Sequence, residues 1–310
     1  MRESSGVVIS IVTPSYNQGE YLEATIQSVL QQDFPSFEYK VIDGESKDNS
    51  LQILKKYGSK LQWISEPDQG QADAINKGFR SSRGEVLGWL NADDLYCPGG
   101  FGEVARQFEQ DSDLMMLYGD AYHVDAEGSL LDPYPSAEFR LESLAFGCFI
   151  CQPACFFRRS LFEDAGCLDS SLHYALDLDL WIRFGLLQRQ NPGWKFRYLP
   201  KLLALSRMHR DNKTLSRRGE AYQEIIQVVK KHFDFVPFNW VYGMEESSGG
   251  RFDGYFKRSP LNFSLCSKSA LKWIWLNRDH PEYVFSFLAD CLKSPRKSFT
   301  RLLQRTEAKQ

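Results

Sequence analysis

The stretch GWLNADDLY, residues 88–96, is an apolar run that turns abruptly into Asn91, Asp93 and Asp94. Adjacent like charges repel, so a chain that keeps them together must offset them with a bound cation or with donor groups. Three earlier apolar runs also end in polar residues. ISIVTPSYNQ delivers Thr13, Pro14, Tyr16 and Asn17, YKVIDGESKD delivers Asp43, and LQWISEPDQGQAD delivers Asp68 and Asp73. Carboxylates and carbonyls are the oxygen ligands that Mg2+ and Mn2+ take, and an acidic edge can hold phosphates through such an ion. Other nucleotide sites are disfavoured. The chain has no G-x-x-x-x-G-K-[ST] loop, and no G-x-G-x-x-G follows the first apolar run.

The elements that must position these residues read as an alternation. VVISIVTP, YKVIDG, LQWISE and EVLGWLNADD have strand character; EYLEATIQSVLQQ, DNSLQILKKYG and QADAINKGFRSS between them have helical spacing. Repeated βα units with short connections predict a mostly parallel, Rossmann-like sheet with helices on both faces. Ligands of such sheets bind outside the carboxyl ends of the strands, where the polar residues collect. After Asp94 the rhythm changes. LMMLYGDAYHVDAEGSLLDPYP predicts strand, turn and strand, a small antiparallel addition, and ALDLDLWIRFGLLQ predicts a helix. RRGEAYQEIIQVVKKHF reads as a basic amphipathic helix and GMEESSGG as a flexible link.

Seven segments in this order, TPSYNQGEYLEATIQSVLQQ, VIDGESKDNS, SEPDQGQADAINKG, LNADD, CQPACFFRR, LDLDLWIR and SRMHRDNKTLS, resemble the signature segments of the family 2 glycosyltransferases, which have the GT-A fold. The resemblance covers about residues 7–216 and implies inverting transfer of a sugar from a nucleoside diphosphate sugar. It implies that Thr13, Pro14, Tyr16 and Asn17 line the nucleotide pocket, that Asp43 reaches base or ribose, and that Asp68 or Asp73 closes the far wall. NADD stands where the family has D-x-D, with Asn91 replacing the first acid. Asp93 then becomes the main ligand of a divalent cation, Mn2+ or Mg2+, and Asp94 its neighbour or structural support. His209 would complete the metal shell or bond a phosphate. Asp177 stands at the family's general base, with Asp179 as helix cap or brace, and Gln152 and Pro153 at the acceptor floor. Expected domains are a catalytic domain over 1–216, with a nucleotide-sugar half to about 95 and an acceptor half from about 96, and a helical, basic extension over 217–310.

A nucleotidyltransferase would want a Gly-, Arg- or Lys-rich phosphate loop near the N-terminus, which TPSYNQGEY lacks. A noncatalytic nucleotide-sugar-binding protein would not need both Asp93 and Asp177. Expected partners are the donor and a carbohydrate or lipid-linked acceptor, in polysaccharide or glycolipid synthesis.

Charge is unevenly spread over the 310 residues. The net value is −3, but Tyr255–Gln310 carries 11 Lys and Arg against 4 Asp and Glu. A basic, aromatic-rich C-terminal stretch on an acidic body suggests peripheral contact with an anionic membrane. Nucleic acid is not expected, because the acidic body would repel phosphate. No apolar run approaches the roughly 20 residues of a membrane-spanning helix. MRESSGVVISIVTP lacks a leader's long apolar core, so a cytoplasmic location is expected. Seven cysteines in apolar segments fit buried thiols in a reducing compartment.

Overall fold

The structure is a computed structural model that describes residues 8–247, 262–293 and 299. Much of the charged C-terminal stretch on which membrane contact was expected lies outside the described residues. The described chain divides into two compact units. One holds residues up to 139 with 149–208, and the other holds 140–148 with those from 209 onward.

The first unit is built on a nine-stranded sheet. It runs β1 (Ile9–Ser15), α1 (Gly19–Leu30), β2 (Phe37–Asp43), α2 (Ser50–Tyr57), β3 (Gln62–Ser65), α3 (Gln71–Arg80) and β4 (Val86–Trp89). Then follow β5 (Leu95–Tyr96), α4 (Gly100–Gln110), β6 (Leu114–Val124), β7 (Leu130–Pro133), β8 (Cys155–Arg158), α5 (Arg159–Asp164), α6 (Leu176–Gln190) and β9 (Lys195–Arg207). Strand order is β3-β2-β1-β4-β8-β6-β9-β5, with β7 on β6. β1 to β4 are mutually parallel, as their βα spacing predicts. β8 runs antiparallel to both β4 and β6, and β9 parallel to β6, so the sheet is mostly parallel with an antiparallel part. This is an α/β fold of GT-A type. β1 is buried at every position, as a central parallel strand must be.

Two elements differ from the sequence reading. β6 and β7 do form the expected antiparallel pair, but β6 lies inside the sheet, between β8 and β9. β9 escapes the sequence reading because Pro200 interrupts it and cannot donate to a ladder. The structure accommodates the proline in a register shift: Gly119 pairs with Leu199 but Asp120 with Leu202, so Pro200 and Lys201 bulge out. Gly119 is required opposite them, since a Cβ there would lie 2.6 Å from the Lys201 carbonyl oxygen.

The second unit is helical: α7 (Lys213–Ser216), α8 (Arg218–Phe233), α9 (Phe238–Ser247), α10 (Phe263–Leu276) and α11 (Pro281–Lys293). α8 to α11 are the expected C-terminal helices, while α7 precedes the expected extension. Gly243–Ser247, read as part of a link, instead end α9. Gly243 packs against the Tyr222 ring of α8, where a Cβ would approach to 2.7 Å, so the small residue serves helix contact rather than flexibility. Phe238, Trp273 and Phe287 centre this unit's own core. The Trp273 indole donates to the Val236 carbonyl at 2.7 Å.

Candidate active site

The acidic turn after β4 is held by protein donors. Thr25 of α1 donates its hydroxyl to the carbonyls of Ala92 (2.8 Å) and Asp94 (2.9 Å), and the Asp94 amide closes the turn on the Asn91 carbonyl at 3.1 Å. Asp94 is buried. Its carboxylate accepts from the Arg207 amide at 2.8 Å, from the Asn91 side chain at 3.1 Å and from Ser206. Burial first, and the negative charge of Asp93 second, still push its carboxyl well above the usual range. Asn91 is also engaged through its oxygen, which accepts from Gln71 at the start of α3, at 2.7 Å. Asp93 is half-buried, and its backbone carbonyl accepts from Arg207 Nε at 2.8 Å. Protein donors, one of the two means the sequence left open, thus hold the Asp94 carboxylate in place but only partly counter its burial and the charge of Asp93.

At the edge of β1 and β2 the expected pocket residues separate into inner and outer positions. Thr13 and Pro14 are buried, and Thr13 shares a 3.0 Å hydrogen bond with Tyr39 in the core. Asp43 is fully buried and accepts from the Ser46 amide and hydroxyl and from the Ser65 hydroxyl. Asn17, at φ 53°, accepts from the Lys47 amide and donates its own amide to Ser46, each at 2.8 Å. These contacts tie the β1–α1 and β2–α2 loops together. Tyr16 lies outermost, 62% exposed. A Cβ on Gly44 would meet the Asp68 carboxylate at 2.7 Å and the Tyr16 ring at 3.3 Å. Gly44 therefore leaves a bare stretch of backbone between an aromatic face and a carboxylate.

Asp68 accepts from the Gly70 amide at 2.8 Å, and Gly70, at φ 112°, makes the turn into α3. Asp73 accepts from the Gln69 amide and pairs with Lys77 at 3.2 Å. Against the cost of its desolvation, these two partners hold its carboxyl below the usual range.

On the acceptor side, Gln152 and Pro153 form a short 3-10 turn ahead of β8. Gln152 donates to the Trp89 carbonyl at 2.7 Å, while its own side-chain oxygen is buried without a hydrogen-bond partner. Trp89 of β4 stacks on Trp181 of α6, centroids 6.0 Å apart and planes at 12°. Asp177 lies one helical turn before Trp181. It is half-buried, accepts from the Leu178 amide at 2.8 Å, and loss of solvent pushes its carboxyl up to about 6. The residue at the N-cap of α6 is Ala175, so Asp177 is not that helix's cap. Asp179 is fully buried and pairs with Arg183 at 2.7 Å, and Arg183 reaches on to the Ala165 and Cys167 carbonyls. It braces the segment before α6, one of the two roles expected of it.

His209, buried at 4% exposure, belongs to the second unit. Among the described residues, no group of three or more His, Cys, Asp and Glu side chains is placed to hold a metal ion. Six cysteines are described, three buried and three half-buried, all free thiols. Arg207, Thr25 and Gln71 were missed in the sequence. Arg207 lies inside SRMHRDNKTLS, but its partners are more than eighty residues away along the chain.

The family model "Glycosyl transferase family 2" matches residues 10–166, and the chain belongs to that family. An uncharacterised glycosyltransferase of Rickettsia typhi is 30% identical over 190 residues, 57% of this chain and 58% of that protein. The hyaluronan synthase of Pasteurella multocida is 26% identical over 216 residues, 68% of this chain and 22% of that enzyme. The chain thus spans little more than half, or less, of these relatives. Among solved structures, Staphylococcus aureus TarS in complex with UDP-GlcNAc superposes with a TM-score of 0.62 at 18% identity, over 97% of this chain and 90% of that one. A mannosyltransferase from Pyrobaculum calidifontis, in complex with GDP-Man and Mn2+, gives 0.54 at 15% identity, over 98% and 86%.

Proposed function

We propose that the chain is an inverting glycosyltransferase that moves a sugar from a nucleoside diphosphate sugar to a hydroxyl of a carbohydrate or lipid-linked acceptor, in polysaccharide or glycolipid synthesis. The observation that supports this reading is the acidic turn after β4, held by Thr25, Gln71 and Arg207, on a sheet whose β4 also packs through Trp89 on the helix that carries Asp177. Asp177 is a raised carboxylate one turn from Trp181, which stacks on Trp89 at the end of the strand that runs into Asp93.

Tyr16 gives a face for stacking on a base, and Gly44 lets a ribose approach the backbone beside Asp68. Asp43 acts one layer deeper, and Asn17 at the surface ties the two loops together. Asp94 and Asn91 are engaged by protein donors, and the carboxylate of Asp93 is the oxygen ligand of the turn that this reading assigns to a cation. Asp93 would hold the ion, as Mg2+ and Mn2+ sites on substrate phosphates need only one or two carboxylates. When bound, the ion neutralises the charge of the leaving diphosphate.

Asp177 takes the proton of the acceptor hydroxyl as its oxygen bonds to the anomeric carbon. The bond from that carbon to the diphosphate oxygen breaks on the opposite face, and its electron pair leaves with the diphosphate. A carboxyl near 6 is ionised at neutral pH yet basic enough for the task. Gln152 and Pro153 would support the acceptor beside it. The reading extends to peripheral residence on an anionic membrane, supported by the basic C-terminal stretch. A thermal-shift screen of UDP, GDP, dTDP and CDP sugars with Mn2+, followed by a transfer assay on the one that binds, tests the reading. Stabilisation by no nucleotide sugar would reject it.

A further inference from the structure

Of the eleven exposed large hydrophobic side chains of the described residues, six lie on two consecutive helices. Phe263, Leu271 and Trp275 are on α10, and Tyr283, Phe285 and Leu288 on α11. Single exposed apolar residues are ordinary, but a cluster marks an interaction surface. On α10 the pattern is amphipathic in an unusual sense. Cys266, Ser269, Ala270 and Trp273 face the unit's core, so Leu271 and Trp275, one turn apart, lie on the outward side at 74% and 62% exposure. Propensity does not require them there: Lys, Glu or Gln would serve an exposed helix face as well.

The charges that α10 itself and the residue after its C-cap set beside this pair are basic, and the acid paired with its lysines is Glu245 of α9. α10 carries Lys268 and Lys272 and no acidic residue, and Arg278 follows it. Lys268 and Lys272 reach back to Glu245 of α9, and the Arg278 guanidinium lies over the Trp275 ring at 4.7 Å from its centroid. Asp279 and Glu282 come only after the helix has ended. An outward Leu and Trp with Lys and Arg alongside is the arrangement of a helix that lies in a lipid interface. Tryptophan favours that depth because one end of the indole is apolar and the other can hydrogen-bond. No described helix is long and apolar enough to cross a membrane, so the contact would be planar.

We infer that the outward face of α10 is a membrane-docking surface, in which Leu271 and Trp275 enter the interface of an anionic bilayer while Lys268, Lys272 and Arg278 lie among its headgroups. The inference rests on the proposed membrane residence and names the surface responsible for it. It does not depend on the donor or the acceptor.

The test is flotation of the full chain with vesicles of phosphatidylcholine alone and of phosphatidylcholine mixed with phosphatidylglycerol. The wild-type chain is expected to float with the anionic vesicles, and less so at high salt. Leu271→Ala with Trp275→Ala should lower the partition coefficient at least about tenfold, with an unchanged melting temperature and near-UV circular dichroism. Lys268→Gln, Lys272→Gln and Arg278→Gln together should lower it by up to about fivefold per residue at low salt. Trp275 fluorescence should shift to the blue on binding, which the Trp275→Ala variant controls. A wild-type chain that ignores anionic vesicles would end both membrane residence and this surface. A chain whose binding survives the Leu271 and Trp275 substitutions would end the surface alone. If the chain fails to float and instead forms a dimer that Trp275→Ala dissolves, the face serves a second copy and the inference is wrong.

Discussion

Arg207 holds Asp94 and the turn around it from two directions: its amide donates to the buried carboxylate at 2.8 Å, and its guanidinium Nε donates to the neighbouring Asp93 carbonyl at the same distance. A further guanidinium nitrogen donates to the Ala126 carbonyl at 2.6 Å, and the group lies over the Tyr21 ring of α1 at 5.1 Å. The end of β9 is thereby fastened to α1, to the β6–β7 connection and to the acidic turn.

Arg207→Met keeps the amide bond to Asp94 but removes every guanidinium contact. Three part-buried carbonyls, of Asp93, Asp125 and Ala126, then lose a charged donor, and each loss costs at most about 1–3 kcal/mol, the range for a fully buried group. The expected outcome is a clear fall in melting temperature and, at temperatures where the variant is folded, weaker nucleotide binding in Mn2+. Unchanged nucleotide affinity in a folded variant would show that the guanidinium serves stability alone.

How much of this was legible in the sequence follows from how far each contact reaches. The βα rhythm and the polar strand ends are local, so the sheet from β3 to β4 and the position of the acidic turn could be read directly. What holds the turn could not. Thr25, Gln71 and Arg207 approach residues 91–94 from three separate elements, and nothing near NADD in the chain announces them. Similarly, Asp43 looks like a ligand-facing residue by its place at a strand end. Its carboxylate accepts from Ser46 and Ser65, and only the fold brings Ser65 beside it. β9 was hidden for a local reason, the proline that its bulge absorbs.

Asp93→Asn separates the metal from the nucleotide. The substitution keeps the size of the side chain and removes its charge. Nucleotide affinity by calorimetry should fall about tenfold or more in Mn2+, as expected for a lost carboxylate ligand, and change little in EDTA. Equal loss in both conditions would mean that Asp93 acts on the nucleotide without an ion.

Gly44→Ala tests the wall formed by Tyr16 and Asp68. The added methyl would lie 2.7 Å from the Asp68 carboxylate and 3.3 Å from the Tyr16 ring. Asp68 is half-buried and held by the Gly70 amide, but the atom met is the far end of its side chain, which can yield, so stability should fall by only about 1 kcal/mol. The space for a ligand would still be lost. The expected result is a raised KM for the donor with kcat nearly unchanged, and an unaltered KM would place the nucleotide elsewhere.

The two acids of LDLDLWIR should fail in different ways. Asp179→Ala leaves Arg183 without its buried partner, and breaking such a pair costs about 3–5 kcal/mol, so the variant should melt early yet turn over normally while folded. Asp177→Asn should fold well, because the folded state already disfavours the charge. With its carboxyl raised to about 6, the protonated form is the one the fold favours, so this group's stabilising effect is complete below its unfolded value and is lost as pH rises through about 6. Removing the charge should therefore leave the melting temperature at pH 7 equal or higher, with the difference shrinking in acid. Catalysis depends on the opposite form. Wild-type kcat/KM should drop about tenfold per pH unit below about 6, and Asp177→Asn should lose about 10²- to 10⁴-fold in turnover while still binding the donor. A variant that is stable and fully active would remove Asp177 as the base. Parallel loss of stability and activity would assign it a structural part instead, since a general base at this position must show full stability with lost turnover.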